Sequence, residues 1–143
     1  MRAAYRLRVS GETAAARQEL EAAIQTYPPN WEARFGLGVL ELEAGNVARA
    51  RTVLEKAVDL SPRQVDGVYQ LAVVYYRLRA LDLAARTIET AMTLDPYAAN
   101  IQEYAGLIAA ARGDRQAAER SLRRAIELDP ARPSTYSNLG TLL

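Results

Sequence analysis

Four prolines set the frame of this chain: Pro28, Pro62, Pro96 and Pro130 follow one another at intervals of 34 residues. The same interval links Ala16, Ala50, Ala84 and Ala118, and again Ala23, Ala57, Ala91 and Ala125. A further series, Leu20, Leu54, Ile88 and Leu122, stands four residues after the first set of alanines. Leu60, Leu94 and Leu128 each precede their proline by two. Independent series held in one register mark a chain built from a repeated structural unit. Each unit is too small to bury its own apolar surface, so neighbouring units must stack.

Within one period the pattern reads as two helices. From Trp31 to Ala44 the residues Leu37, Leu40 and Ala44 recur at three- and four-residue spacing, with Phe35, Val39 and Leu42 on an adjacent stripe. Gly45-Asn46 supplies the turn, glycine for a positive φ and asparagine for the start of the next helix. Ala50, Val53, Leu54, Ala57 and Val58 then share one face, and Ser61-Pro62 closes the unit because proline cannot continue a helix. Small residues at Gly38, Ala72, Gly106 and Gly140 let helix axes approach closely, with Leu54 and its counterparts filling the space between.

Composition narrows the chemistry. The chain has no Cys and no His, which removes disulfides, thiolate metal sites, the cysteine nucleophile and the usual general base near neutral pH. No Gly-rich phosphate loop, metal-ligand spacing or activated nucleophile occurs, so the expectation is that the chain is not an enzyme and carries no cofactor or metal. Glu41 and Glu43, two apart on a helix, do not face each other. A net charge of +1 gives no general attraction to nucleic acid. The cluster Arg112, Arg115, Arg120, Arg123 and Arg124 is interleaved with Asp114, Glu119 and Glu127 and reads as a solvated face. No apolar run approaches the roughly 18 residues that span a bilayer, so direct membrane insertion is not expected and a cytoplasmic location is.

The repeat resembles the tetratricopeptide family, whose 34-residue helix-turn-helix follows W-x2-L-G-x2-Y, then A-x3-F, then a terminal Pro. Here the units read Arg34-x2-Leu37-Gly38-x2-Glu41, Ala50-x3-Leu54 and Pro62; Val68-x2-Leu71-Ala72-x2-Tyr75, Ala84-x3-Ile88 and Pro96; and Gln102-x2-Ala105-Gly106-x2-Ala109, Ala118-x3-Leu122 and Pro130. The resemblance implies an all-α solenoid of antiparallel helix pairs with a right-handed superhelix. It would form a single domain over 1–143: a clipped first repeat (1–30), full repeats at 31–64, 65–98 and 99–132, and a half repeat at 133–143. Two departures stand out. The early aromatic is replaced by Arg34, Val68 and Gln102, with Tyr136 alone keeping it, and the turn Arg79-Ala80-Leu81-Asp82 has no glycine where Gly45 and Gly113 stand. That turn is expected to be shifted by a residue or strained.

The resemblance also implies a concave groove lined by the first helices of successive repeats. Register places Tyr5, then Phe35, Val39 and Leu42, then Tyr69, Val73, Tyr76 and Arg77, then Tyr104 and Leu107 along it, with Glu32 and Asp66 at the rim. The expected function is a scaffold that binds a protein partner's peptide or helix. Any one tyrosine is accounted for by packing on its neighbours; the set points to a binding surface, since Tyr69, Val73 and Tyr76 lie off the stripe of Val68, Leu71, Ala72 and Tyr75. Tyr75 is expected in the core, and Tyr27 and Tyr97 in packing between repeats. The carboxylate-gripping positions of some family members fall here on Phe35, Val39, Gln70, Asn100 and Tyr104, or one unit earlier on Met1, Tyr5, Gly36, Asp66 and Gln70. Neither set contains a basic residue, which argues against a receptor for acidic C-terminal tails. The apolar end at Thr141-Leu142-Leu143 reads as a cut from a longer array, with self-association into a homo-oligomer through that end as the alternative.

Overall fold

A computed structural model describes the backbone of residues 2–143 and the side chains of residues 11–143. Eight helices and no strand are found among the described residues: α1 Arg2–Thr26, α2 Trp31–Glu43, α3 Val47–Leu60, α4 Val65–Arg77, α5 Leu81–Leu94, α6 Ala99–Ala111, α7 Arg115–Leu128 and α8 Pro133–Leu142. The fold is an all-α repeat of the solenoid class, about four repeats and a half. It divides into two compact units, Met1–Pro62 with α1 to α3, and Arg63–Leu143 with α4 to α8.

In the first unit α2 and α3 form an antiparallel pair, and α1 packs on α2. Asn30 caps α2 by accepting a hydrogen bond from Ala33 N–H at 3.0 Å. In the second unit α4 pairs with α5 and α6 with α7, while α5 lies against α6 and α7 against α8. Asp114 caps α7 through Ala117 N–H at 3.1 Å.

The seams within pairs are built on the alanine and leucine series. Ala50, Leu54 and Ala57, then Ala84, Ile88 and Ala91, then Ala118, Leu122 and Ala125 are all buried. A Cβ at Gly38 would collide with the Leu54 side chain, and one at Gly106 would sit 2.8 Å from Leu122 Cγ. These glycines are therefore a matter of room, and the leucine of the trailing helix occupies that room. The second period has Ala72 at the same place, fully buried. Tyr75 is in the core, as expected.

Three turns share one geometry. Asn46 N–H donates to Glu41 C=O at 2.8 Å, Ala80 N–H to Tyr75 C=O at 2.9 Å, and Asp114 N–H to Ala109 C=O at 2.9 Å. This is the closing hydrogen bond of a Schellman motif, which requires a left-handed residue one position earlier. Gly45 (φ 88°) and Gly113 (φ 84°) fill that position, and in the middle turn Arg79 does so at φ 61°. The turn without glycine is thus not shifted; Arg79 takes the conformation itself.

Gly11 lies one period before Gly45, yet α1 continues through it. Its φ is not positive, and the following Glu12 and Ala14 to Ala16 favour helix, where Gly45 is followed by Asn46. Residues 2–26 are consequently one long helix, which from Thr13 onward holds the register of a trailing helix.

Candidate partner-binding face

The leading helices of the second unit, α4, α6 and α8, touch one another in succession. That adjacency brings three sequence-selected tyrosines together. Tyr104 of α6 stands between Tyr69 and Tyr76 of α4, with ring centroids 5.5 Å and 5.9 Å away and interplanar angles of 85° and 90°. Both contacts are edge-to-face, the arrangement favoured by the ring quadrupoles. All three rings keep part of their surface open. Burial pushes the Tyr69 phenol up to about 12, helped by Tyr104 and outweighing its hydrogen bond with Asn100 and the charge of Arg132. Burial and Tyr76 push Tyr104 up likewise, against the nearby charge of Arg77. Both are neutral hydroxyls at neutral pH, able to donate and accept hydrogen bonds.

The other candidates divide. Leu107 is part-exposed and lines an open pocket of about 450 Å³ with Ala110, Leu122, Asn138, Thr141 and Leu142. Arg77 is exposed, as are Glu32 and Asp66. Phe35 and Val39 in the first unit are part-exposed, Phe35 lying against Trp31 with ring centroids 6.1 Å apart. Val73 and Leu42 are each 7% exposed and serve packing, so the accessible set is smaller than the sequence register implies. Tyr5 falls outside the described side chains. Tyr27 and Tyr97 need correction: at 61% and 75% exposure they do not pack between repeats. Both stand in the turns between helix pairs, beside Pro28 and Pro96, where the chain rounds a corner and the ring points outward.

Sequence reasoning missed two buried carboxylates. Glu41, fully buried, is bound by Arg17 of α1 and by Asn46 Nδ2 at 3.0 Å. Asn46 therefore does not cap α3 with its side chain; it donates back to Glu41. Burial acts to raise the Glu41 pKa, but the Arg17 and Asn46 hydrogen bonds and the charges of Arg17 and Arg49 outweigh it and hold the carboxyl below its usual range. Glu103, beside Tyr104, accepts from Arg132 Nη2 at 2.8 Å, Thr135 Oγ1 at 3.0 Å and Asn138 Nδ2 at 2.9 Å. Burial again opposes, and Arg132, Ser134 and Thr135 prevail, so its pKa is also lowered. These networks tie α1 to the α2–α3 turn, and α6 to the start of α8. The available signal was spacing: Arg132, Thr135 and Asn138 lie about one period beyond Glu103.

The clustered Arg112, Arg115, Arg120, Arg123 and Arg124 are exposed, with Arg123 on Glu119 at 2.9 Å and Arg124 on Glu127 at 3.1 Å. No group of carboxylates able to hold a metal ion occurs among the described residues, and no described helix is long and apolar enough to cross a membrane.

No curated protein sequence matches the chain. Among solved structures it is similar to MamA (residues 41 to the end) from Desulfovibrio magneticus RS-1, with TM-score 0.87 and 21% identity over 96% of this chain and 78% of that one. It is also similar to TTC0263, a thermophilic TPR protein of Thermus thermophilus, with TM-score 0.77 and 27% identity over 99% and 78%. A third structure is YrrB, a TPR protein with an unusual peptide-binding site, with TM-score 0.82 and 22% identity over 90% and 66%. Three family models described as tetratricopeptide repeat match residues 1–65, 41–110 and 105–132. Taken with the 34-residue period, the paired helices and their common turn, these matches show that the chain belongs to the tetratricopeptide repeat family.

Proposed function

We propose that the chain is a protein-interaction scaffold whose second unit holds a partner's peptide or helix against the Tyr69, Tyr76 and Tyr104 face. The observation that carries this reading is the edge-to-face tyrosine cluster, half-open on the leading helices while the seams close without it. Fixed aromatic rings offer apolar area at little entropic cost, and neutral hydroxyls beside Asn100 add directional contacts. Arg77 stands at the edge of the cluster, and Leu107 with its pocket continues the apolar surface toward α8. Phe35 and Val39 form a separate apolar patch on the first unit. The likeness to YrrB supports peptide binding as a use of this fold. Catalysis is not part of this reading.

The test is affinity capture from a lysate of the source organism, comparing wild type with a Tyr69→Ala/Tyr76→Ala/Tyr104→Ala variant of matched helicity. A protein held by wild type and lost by the variant supports the proposal. Equal capture by both places binding elsewhere.

A further inference from the structure

The Tyr69, Tyr76 and Tyr104 face belongs to α4 and α6, whose pair partners α5 and α7 close the seams behind it. Its polar groups narrow what it can hold. The charges that act on Tyr69 and Tyr104 come from Arg77, Arg132 and Glu103. Glu103 is the carboxylate among these, and it is buried and engaged by Arg132, Thr135 and Asn138. A partner therefore meets ring surface, neutral hydroxyls and the Asn100 amide beside Tyr69, groups that can all donate hydrogen bonds.

Spacing narrows the choice further. Tyr69 and Tyr76 lie seven residues apart on α4, about 10.5 Å along its axis, with Tyr104 between them. Same-face residues of a β-strand fall at about 6.6 or 13 Å, which straddles that span. No strand edge occurs among the described residues to receive one. Two turns of an α-helix, about 10.8 Å, match the span, but its backbone carbonyls are bonded within the helix and leave the hydroxyls and amide unanswered. A polyproline II segment presents one face every three residues, about 9.3 Å, and none of its carbonyls is bonded internally. Proline also has no N–H, so such a segment asks for no acceptor.

We propose that this face takes a proline-rich segment of the partner in polyproline II conformation. Prolines three apart lie against Tyr69 and Tyr76, and backbone carbonyls of the segment accept from the tyrosine hydroxyls and the Asn100 amide. Proline rings suit an aromatic-lined surface, and the segment is extended before it binds, so little order has to be imposed. This inference rests on the partner-binding face proposed above and names the class of segment it holds.

The test is titration calorimetry of the full chain with three uncharged, end-blocked peptides: a proline decamer, a glycine–serine decamer and an alanine-based helical peptide. The proline decamer should bind at least about tenfold more tightly than either of the others. The variant Tyr69→Phe/Tyr76→Phe/Tyr104→Phe keeps the rings and loses the hydroxyls, so it should bind the proline decamer about tenfold or more weakly. The corresponding triple alanine variant should not bind it. Circular dichroism checks that both variants are folded, and the phenylalanine variant carries the test if the alanine one is not. Failure of wild type to bind the proline decamer overturns the proposal. So does equal binding of either control peptide, or unchanged affinity in the phenylalanine variant. A captured partner that the alanine variant loses but the proline decamer does not displace overturns this inference and leaves the face standing. Equal capture by wild type and the alanine variant overturns the face itself, which keeps the two failures distinct.

Discussion

Arg79 occupies a left-handed backbone position that its two repeat counterparts give to glycine. A side chain at such a φ costs about 1–2 kcal/mol, and glycine's greater freedom in the unfolded chain recovers part of that. Arg79→Gly should therefore stabilise the protein by about 0.5–1 kcal/mol, read from denaturant unfolding. The two buried carboxylates give a pH dependence of definite sign. Both have folded pKa values below the ordinary 4.5, so their stabilisation is complete above that value and is lost as pH falls through the lowered ones. The melting temperature should be level from neutrality to about pH 5 and drop below it, and Glu103→Gln should make the drop shallower. Tyr69 and Tyr76 could be picked out because they share a helical stripe, which Tyr104 of α6 meets only through the contact between helices. Glu41 and Glu103 could not, because a carboxylate on a helix looks solvated until its partners arrive from other helices.

Among the elements, the pairs follow directly from the repeat. Glycine or alanine at one position of the leading helix fixes where the trailing leucine goes, and proline fixes where the pair ends. Ala84 is fully buried in such a seam, so Ala84→Leu should overpack it and cost about 1–3 kcal/mol. Unchanged thermal stability would contradict the register. Leu122→Ala empties the space beside Gly106 and should cost about 2–5 kcal/mol, measured by chemical denaturation. The continuous α1 was less legible, since Gly11 permits a turn without imposing one and the residues after it favour helix. Tyr27 and Tyr97 misled for a related reason. Proximity to a repeat-ending proline says where a residue is in the chain and not which way its ring faces at a corner.

For the whole molecule, repetition defines the family and the fold, while the proposed partner face rests on departures from repetition. Tyr69, Tyr76 and Tyr104 are not the residues that recur at each period; they meet because two leading helices touch. Tyr69→Phe would keep the ring and remove only the hydroxyl that meets Asn100, so partner binding should weaken by about 0.5–1.5 kcal/mol, about that of one hydrogen bond. Titration calorimetry with the captured partner would read that loss. The most direct measurement of the central claim is amide hydrogen exchange of the chain, free and with its captured partner. The account predicts added protection centred on residues 69–76 of α4 and 100–107 of α6. Protection confined to α5 and α7, with those segments unchanged, would contradict it.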